Sequence, residues 1–162
     1  MARLPRLEVA AWPHLVVQRV HDGQLLARDD VDRALLYQML REAARACGVS
    51  IHAYCLAPDH FHLLLTPEQD SSLSLFMQAV GRRYVSAYNR RHGRQGGLWA
   101  GRYRATVLDP AQYLLDAMVW VETHGQRAGG AAPVGDEAWS SARHHLGRCS
   151  DPLVSDPAAF WS

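Results

Sequence analysis

A short turn at Pro58-Asp59 constrains the fold more than any other feature of the sequence. The runs on either side of it, 50–57 and 60–66, read as two consecutive β-strands. Further strands are predicted at 14–20, where β-branched residues dominate, and at 102–108. Such a hairpin predicts a fold that contains an antiparallel sheet.

Apolar residues at helical spacing predict three long helices, at about 31–47, 72–91 and 110–125. Asp29 or Asp30 can cap the first helix, and Gly48 ends it. Asp109-Pro110 is a cap followed by a proline at the first helical position, so it begins the third. The third helix is expected to direct four residues inward: Tyr113, Leu114, Ala117 and Val121.

The element order β-α-β-β-α-β-α predicts an α+β fold, a ferredoxin-like sandwich with an antiparallel sheet and helices on one face. Residues 126–137 are Gly/Ala-rich and read as a loop, and a short helix is expected at 139–146. The length of 162 residues favours one domain over 1–150, followed by a C-terminal tail over 151–162.

Composition excludes several classes of protein. The chain is 48% hydrophobic and 20% charged, which is typical of globular domains. No apolar run approaches the roughly 20 residues of a membrane span, and no signal peptide is evident. Its three cysteines lack metal-ligand spacing, as expected for thiols in a reducing cytoplasm. We therefore expect a cytoplasmic protein without a membrane partner.

His60 and His62 lie two apart in the third predicted strand, with Phe61 between them. Side chains alternate along a strand, so both imidazoles should lie on the same face. Two interpretations are open: a site for a divalent metal, or a pair of hydrogen-bonded core histidines.

Several segments, in the same order along the chain, carry a resemblance to a known family. They are Tyr54-Cys55-Leu56-Ala57-Pro58-Asp59-His60-Phe61-His62-Leu63-Leu64-Leu65, then 81–91, 97–103, 127–129 and 139–141. Over roughly residues 12–150 the chain resembles the REP-associated tyrosine transposases, single-domain members of the HUH endonuclease superfamily. The resemblance implies that a metal held by two histidines polarises a phosphodiester of single-stranded DNA. A helical tyrosine then attacks the phosphorus, and folded hairpins of palindromic repeats are the DNA recognised.

The chain departs from the family pattern at the nucleophile. Aligned on Arg127-Ala128-Gly129, the tyrosine position holds Trp120, which has no ionisable oxygen. His124 falls at a further metal-contacting position, so it either completes a three-histidine set or is an exposed residue at a helix end. The implied cofactor is a divalent metal: Mg, Mn or Zn.

Loss of the tyrosine leaves the activity open. We expect a protein that binds single-stranded or hairpin DNA with impaired strand transfer. The alternative is an active metal-dependent DNA-nicking enzyme that uses Tyr84, Tyr88 or a metal-bound water. The protein is expected to be a monomer or a homodimer.

The segment from Gly81 to Leu108 contains seven arginines and no acidic residue. Arginine suits bidentate phosphate contacts, so this stretch is expected to bind DNA, although a solvated face is the alternative. Trp99 either stacks on a base or packs as a lid on the core. The predicted DNA contacts are Arg82, Arg83, Arg90, Arg91, Arg94, Trp99, Arg102 and Arg104.

Overall fold

The computed structural model describes residues 7–124 and 139–157. The predicted loop at 126–137 therefore lies outside the described residues. Four strands and four helices form the described part: β1 (His14–Arg19), α1 (Asp30–Cys47), β2 (Val49–Leu56), β3 (His60–Pro67), α2 (Ser72–His92), β4 (Arg104–Val107), α3 (Pro110–Glu122) and α4 (Ala142–His145).

The strands form one antiparallel sheet in the order β2-β3-β1-β4. The predicted α+β sandwich with an antiparallel sheet is confirmed, and α1 and α2 share one face of that sheet. The hairpin of β2 and β3 supplies one half of the sheet, and β1 lies beside β3 with His14 opposite Leu65. β4 completes the other edge, with His14 opposite Val107.

Local signals set the helix ends where the sequence predicts them. The Asp29 side chain accepts a hydrogen bond from Asp32 N at the start of α1. Gly48 ends that helix in the left-handed conformation at φ 72°, which a residue with a Cβ adopts only with strain. Asp109 accepts from Ala111 N and caps α3, which begins with Pro110.

The two faces of the sheet are covered differently. The main core lies on the face of Phe61, Leu63 and Leu65, against α1 and α2. α3 packs on the opposite face against Ala53, Cys55 and Leu64, using its buried residues Leu114, Ala117, Met118 and Val121. Tyr113 is 52% exposed, so the expectation that it faces inward is wrong. The inward stripe of α3 begins at Leu114.

The segment 139–157 is tied to the sandwich. The hydroxyls of Tyr37 and Tyr54 both donate to the Asp151 carboxylate, at 2.5 Å each. Ser141 Oγ accepts from Tyr54 N, and the Leu153 side chain is buried in the main core. The described part of the predicted tail thus packs on the sheet. Within the described ranges, no helix has the length and hydropathy of a membrane span.

Candidate metal centre and its surroundings

The histidine pair lies at the start of β3, directly after the turn. Alternation along this strand directs Phe61 and Leu63 into the main core, and His60 and His62 to the face that carries α3. Both imidazoles are almost fully buried, with 5% and 2% of their surface exposed. Position on the strand therefore dictates the shared orientation that the sequence predicts.

The two rings face each other through their Nε2 atoms, which lie 3.0 Å apart. His60 Nδ1 donates to Asp59 Oδ1 at 2.6 Å. A proton on Nδ1 leaves Nε2 of His60 with a lone pair directed toward His62. The hydrogen bond to His60 also holds the pKa of the Asp59 carboxyl below its ordinary value.

The end of α3 brings two more rings to the pair. The His124 ring centroid lies 4.7 Å from that of His60 and 4.7 Å from that of His62. Trp120 meets His62 edge to face, with centroids 4.9 Å apart and planes at 80°. Trp120 lies in the last turn of α3, and His124 lies two residues after Glu122, where the helix ends.

The donor set fits a divalent metal. One nitrogen from each of His60, His62 and His124 can be chosen so that all three lie within 4.8 Å of one another. Two nitrogens bound to one ion at 2.0–2.1 Å lie about 2.9–3.4 Å apart, and the 3.0 Å between the Nε2 atoms falls in that range. Asp59 stands behind His60 as the carboxylate that commonly orients a ligating imidazole. Three imidazoles favour zinc over magnesium, which prefers oxygen ligands.

The structure does not bring the tyrosines proposed as substitute nucleophiles to this centre. Tyr84 and Tyr88 lie on α2, on the other side of the sheet, and both are fully buried. The Tyr84 hydroxyl donates to Leu26 O, and burial raises its pKa far above the ordinary value. Tyr88 donates to Leu25 O. Neither hydroxyl can attack a phosphodiester held at His60 without unfolding of the core.

The arginines of α2 also lie on the side of the sheet away from the histidines. Arg91 pairs with Asp29 and with the buried Asp32, both on or beside α1. Arg83 pairs with Glu42. Arg94 donates to Asn89 and Gly97. These ion pairs and hydrogen bonds hold α2 against α1 and against the loop that follows α2. All four arginines of α2 are exposed on the side away from the histidines: Arg82, Arg83, Arg90 and Arg91.

A different basic strip lies on the histidine face. Val17 is opposite His62 on one side and opposite Arg104 on the other, so all three side chains share this face. Arg19 is opposite His60 and is exposed. Arg102 is exposed two residues before Arg104. The sequence analysis missed Arg19, because its place opposite His60 follows only from the pairing of β1 with β3.

Trp99 packs as a lid on the main core. Its ring centroid lies 6.0 Å from that of Phe61 and 6.2 Å from that of Tyr84. The indole Nε1 donates to Gly81 O, and a Cβ added at Gly81 would come within 3.1 Å of that nitrogen. The structure therefore favours the packing interpretation over base stacking, and Gly81 permits the close approach.

Comparison with known proteins defines the class to which this sandwich and its histidine pair belong. The profile of the IS200-like transposases matches residues 10–119, more than half of the chain. The protein belongs to that transposase family. The matched residues include His60 and His62 and end one residue before Trp120.

Among solved structures, the chain is similar to a REP-associated tyrosine transposase bound to a REP hairpin. The TM-score is 0.77 at 15% identity, over 98% of this chain and 96% of that one, so the two share a fold. A protein from Deinococcus radiodurans R1, assigned provisionally as a transposase, is 24% identical over 81% of this chain and 100% of its own, with a TM-score of 0.47. No curated protein gives a significant match.

Proposed function

We propose that the protein binds hairpin DNA and its single-stranded flank at a divalent-metal centre formed by His60, His62 and His124. The observation that carries the proposal is the convergence of three imidazoles beside an exposed basic strip. The transposase family and the shared fold with a hairpin-bound relative support it. The binding unit is the single domain over 1–150, and action on cellular DNA implies a cytoplasmic location.

Each residue of the centre has a distinct role in this proposal. The three histidines hold the ion, and Asp59 fixes the orientation of the His60 ring. A divalent metal bound there would supply Lewis-acid polarisation of a phosphodiester. Arg19 and Arg104 contact the phosphates on either side of that phosphodiester. These contacts make the affinity for DNA depend on salt.

We propose that the protein does not transfer strands through a phosphotyrosine. The ring that α3 presents to His62 is the indole of Trp120, which cannot form an ester with a phosphate. The two tyrosines considered as substitutes are buried on the other side of the sheet. Binding without covalent capture is the function that this arrangement supports best.

A second candidate function is metal-dependent nicking with water as the nucleophile. The three-histidine set favours it, because open positions on such a centre are a feature of catalytic zinc sites. Nicking of a labelled hairpin that needs metal and is lost in His62→Ala would establish this activity. Intact DNA across Zn²⁺, Mn²⁺ and Mg²⁺ would exclude it.

The primary proposal can be tested by fluorescence anisotropy. The probe is a labelled palindromic hairpin that carries a single-stranded 5′ flank. We expect Arg104→Ala to weaken binding and to reduce the slope of log affinity against log salt by about 1. Arg45→Ala is the matched control, since Arg45 is exposed in the last turn of α1. Equal affinity of both variants, or no hairpin binding by the wild-type protein, would contradict the proposal.

A further inference from the structure

A small cavity lies where the last turns of α1, the start of β2 and the segment 152–155 meet. Its volume is about 120 Å³, whereas a single ordered water needs about 10–15 Å³. Its polar side chains are Arg41, Arg45 and Ser155, and the other residues that line it are apolar. Among the described residues, no acidic side chain and no member of the histidine centre contributes to the lining. The cavity is therefore a separate, basic compartment of the sandwich.

Arg41 carries a donor that the protein leaves unsatisfied. Its Nε is buried, and no described residue accepts a hydrogen bond from it. Buried donors are almost always paired in folded proteins, because removal from water without a new hydrogen bond is costly. This donor belongs to a guanidinium, which keeps its charge at any physiological pH. The missing partner should therefore accept hydrogen bonds and carry negative charge.

A neighbouring arginine shows what Arg41 lacks. On the same helix, Arg33 donates to Asp30 at 2.9 Å. Across the part of the chain that the structure describes, neither Arg41 nor Arg45 forms an ion pair. The negative end of the α1 dipole accounts for Arg45, which lies in the last turn. Arg41 lies one turn earlier, where the effect of the dipole has fallen off, so its charge has no counterpart.

The three polar groups suit a tetrahedral oxyanion. A spacing of four residues places Arg41 and Arg45 on one side of α1. A guanidinium can donate two parallel hydrogen bonds to one phosphate. Ser155 is held by its backbone, because its N donates to Ile51 O and its carbonyl accepts from His52 Nδ1, both at 2.7 Å. The Ser155 hydroxyl can therefore donate a further hydrogen bond from a fixed position.

We propose that this cavity binds a small free phosphate anion between Arg41, Arg45 and Ser155. The anion would supply the acceptor that Arg41 Nε lacks, and it would bridge α1 to the segment 152–155. The cavity lies beside Ile51 and Leu153 of the main core, on the face of the sheet away from the histidines. Its position and its volume therefore favour a free ion over the backbone of a DNA duplex.

Nuclear magnetic resonance can test the site directly. The Arg41 Nε–H signal is identified by its absence in Arg41→Lys, which keeps the charge but lacks that group. We expect inorganic phosphate, exchanged for chloride at constant ionic strength, to shift this signal until the site is saturated. The Nε–H signal of Arg33 is the internal control, because Arg33 already pairs with Asp30, and it should not follow the same curve.

Linkage to folding gives a second readout. Phosphate at ten times its dissociation constant should lower the unfolding equilibrium constant by about 11-fold. Phosphate also stabilises proteins in general, because it is excluded from their surface. The diagnostic quantity is therefore the difference between wild type and Arg41→Gln in urea unfolding, with phosphate or with chloride. Arg41→Gln should lose the saturable gain, Ser155→Ala should weaken it, and Arg33→Gln, the matched control, should retain it.

Each outcome decides the proposal. A saturable Arg41 shift, with loss of the stability gain in Arg41→Gln, supports it. A shift that rises linearly with phosphate, or an equal gain in wild type and Arg41→Gln, overturns it. Reversal of the shift by a hairpin oligonucleotide would place DNA in this cavity and would overturn the assignment to a free anion. Arg41→Gln should leave hairpin affinity in chloride buffer unchanged, so this test is independent of the proposed function.

Discussion

Removal of the carboxylate behind His60 should weaken metal binding without touching a ligand. Asp59 Oδ1 accepts a 2.6 Å hydrogen bond from His60 Nδ1, and no other hydrogen bond to the His60 Nδ1 is present among the described residues. Asp59→Ala leaves all three imidazoles in place but frees the His60 ring to rotate and to change tautomer. Each change takes the Nε2 lone pair away from the centre.

The expected loss is about 10-fold in metal affinity, or roughly 1.4 kcal/mol. A carboxylate that hydrogen-bonds a ligating histidine typically contributes between about 10- and 100-fold to metal affinity. The lower end applies here because 62% of the Asp59 side chain is exposed, so water screens its charge and replaces part of its hydrogen bonding. Asp59→Asn keeps an accepting oxygen and should lose less.

Titration of the purified protein with Co²⁺, followed by its visible absorbance, and competition with Zn²⁺ give the affinities. Asp22→Ala is the matched control, since Asp22 is another exposed carboxylate in a turn. His62→Ala should abolish the tetrahedral cobalt spectrum. Equal zinc affinities for Asp59→Ala and wild type would refute the argument that this hydrogen bond orients a metal ligand.

Three other predictions follow from the same structure. The Trp120→Tyr variant should form a covalent adduct with a hairpin oligonucleotide, detected on a denaturing gel. If the variant binds the hairpin but forms no adduct, the nucleophile position is not at residue 120. Asp32→Ala should lower the free energy of unfolding in urea by about 3 kcal/mol, because the fully buried carboxylate pairs with Arg91 and His92; a loss below 1 kcal/mol would be inconsistent with this role. Burial lowers the pKa of the His145 imidazole, but the hydrogen bond to Glu122 and the nearby carboxylates outweigh burial and raise this pKa above 6.5. The protonated imidazole therefore stabilises the fold fully below pH 6.5, and this stabilisation is lost as pH rises through the raised pKa. Urea midpoints between pH 6 and 9 should fall less steeply in His145→Gln than in wild type; the groups facing this ring are Glu122, Asp156, His144 and His52.

Features set by neighbours in sequence were predicted well. The caps at Asp29 and Asp109 and the left-handed Gly48 depend on side chains and φ angles within a few residues. The common face of His60 and His62 follows from strand alternation alone. These parts of the fold and of the candidate centre could be derived from local chemistry because no distant contact is needed to define them.

Features set by distant partners were not predicted. Arg91 pairs with two carboxylates that lie about 60 positions earlier in the chain, and no local pattern indicates this contact. Arg19 was missed because its value depends on its place opposite His60, which is visible only in the paired sheet. Tyr113 was placed inward because periodicity defines a stripe of α3 only to within about one residue.

The proposed metal centre lies where the two hydrophobic cores meet. β3 presents His60 and His62 because its alternate residues fill the main core, while α3 presents His124 because Leu114, Ala117 and Val121 fill the smaller one. Side chains of the two cores therefore set the distances between the three histidine rings. Trp120 is compatible with this arrangement because its indole meets His62 edge to face without entering either core. The proposed centre can therefore keep its geometry with an indole beside it.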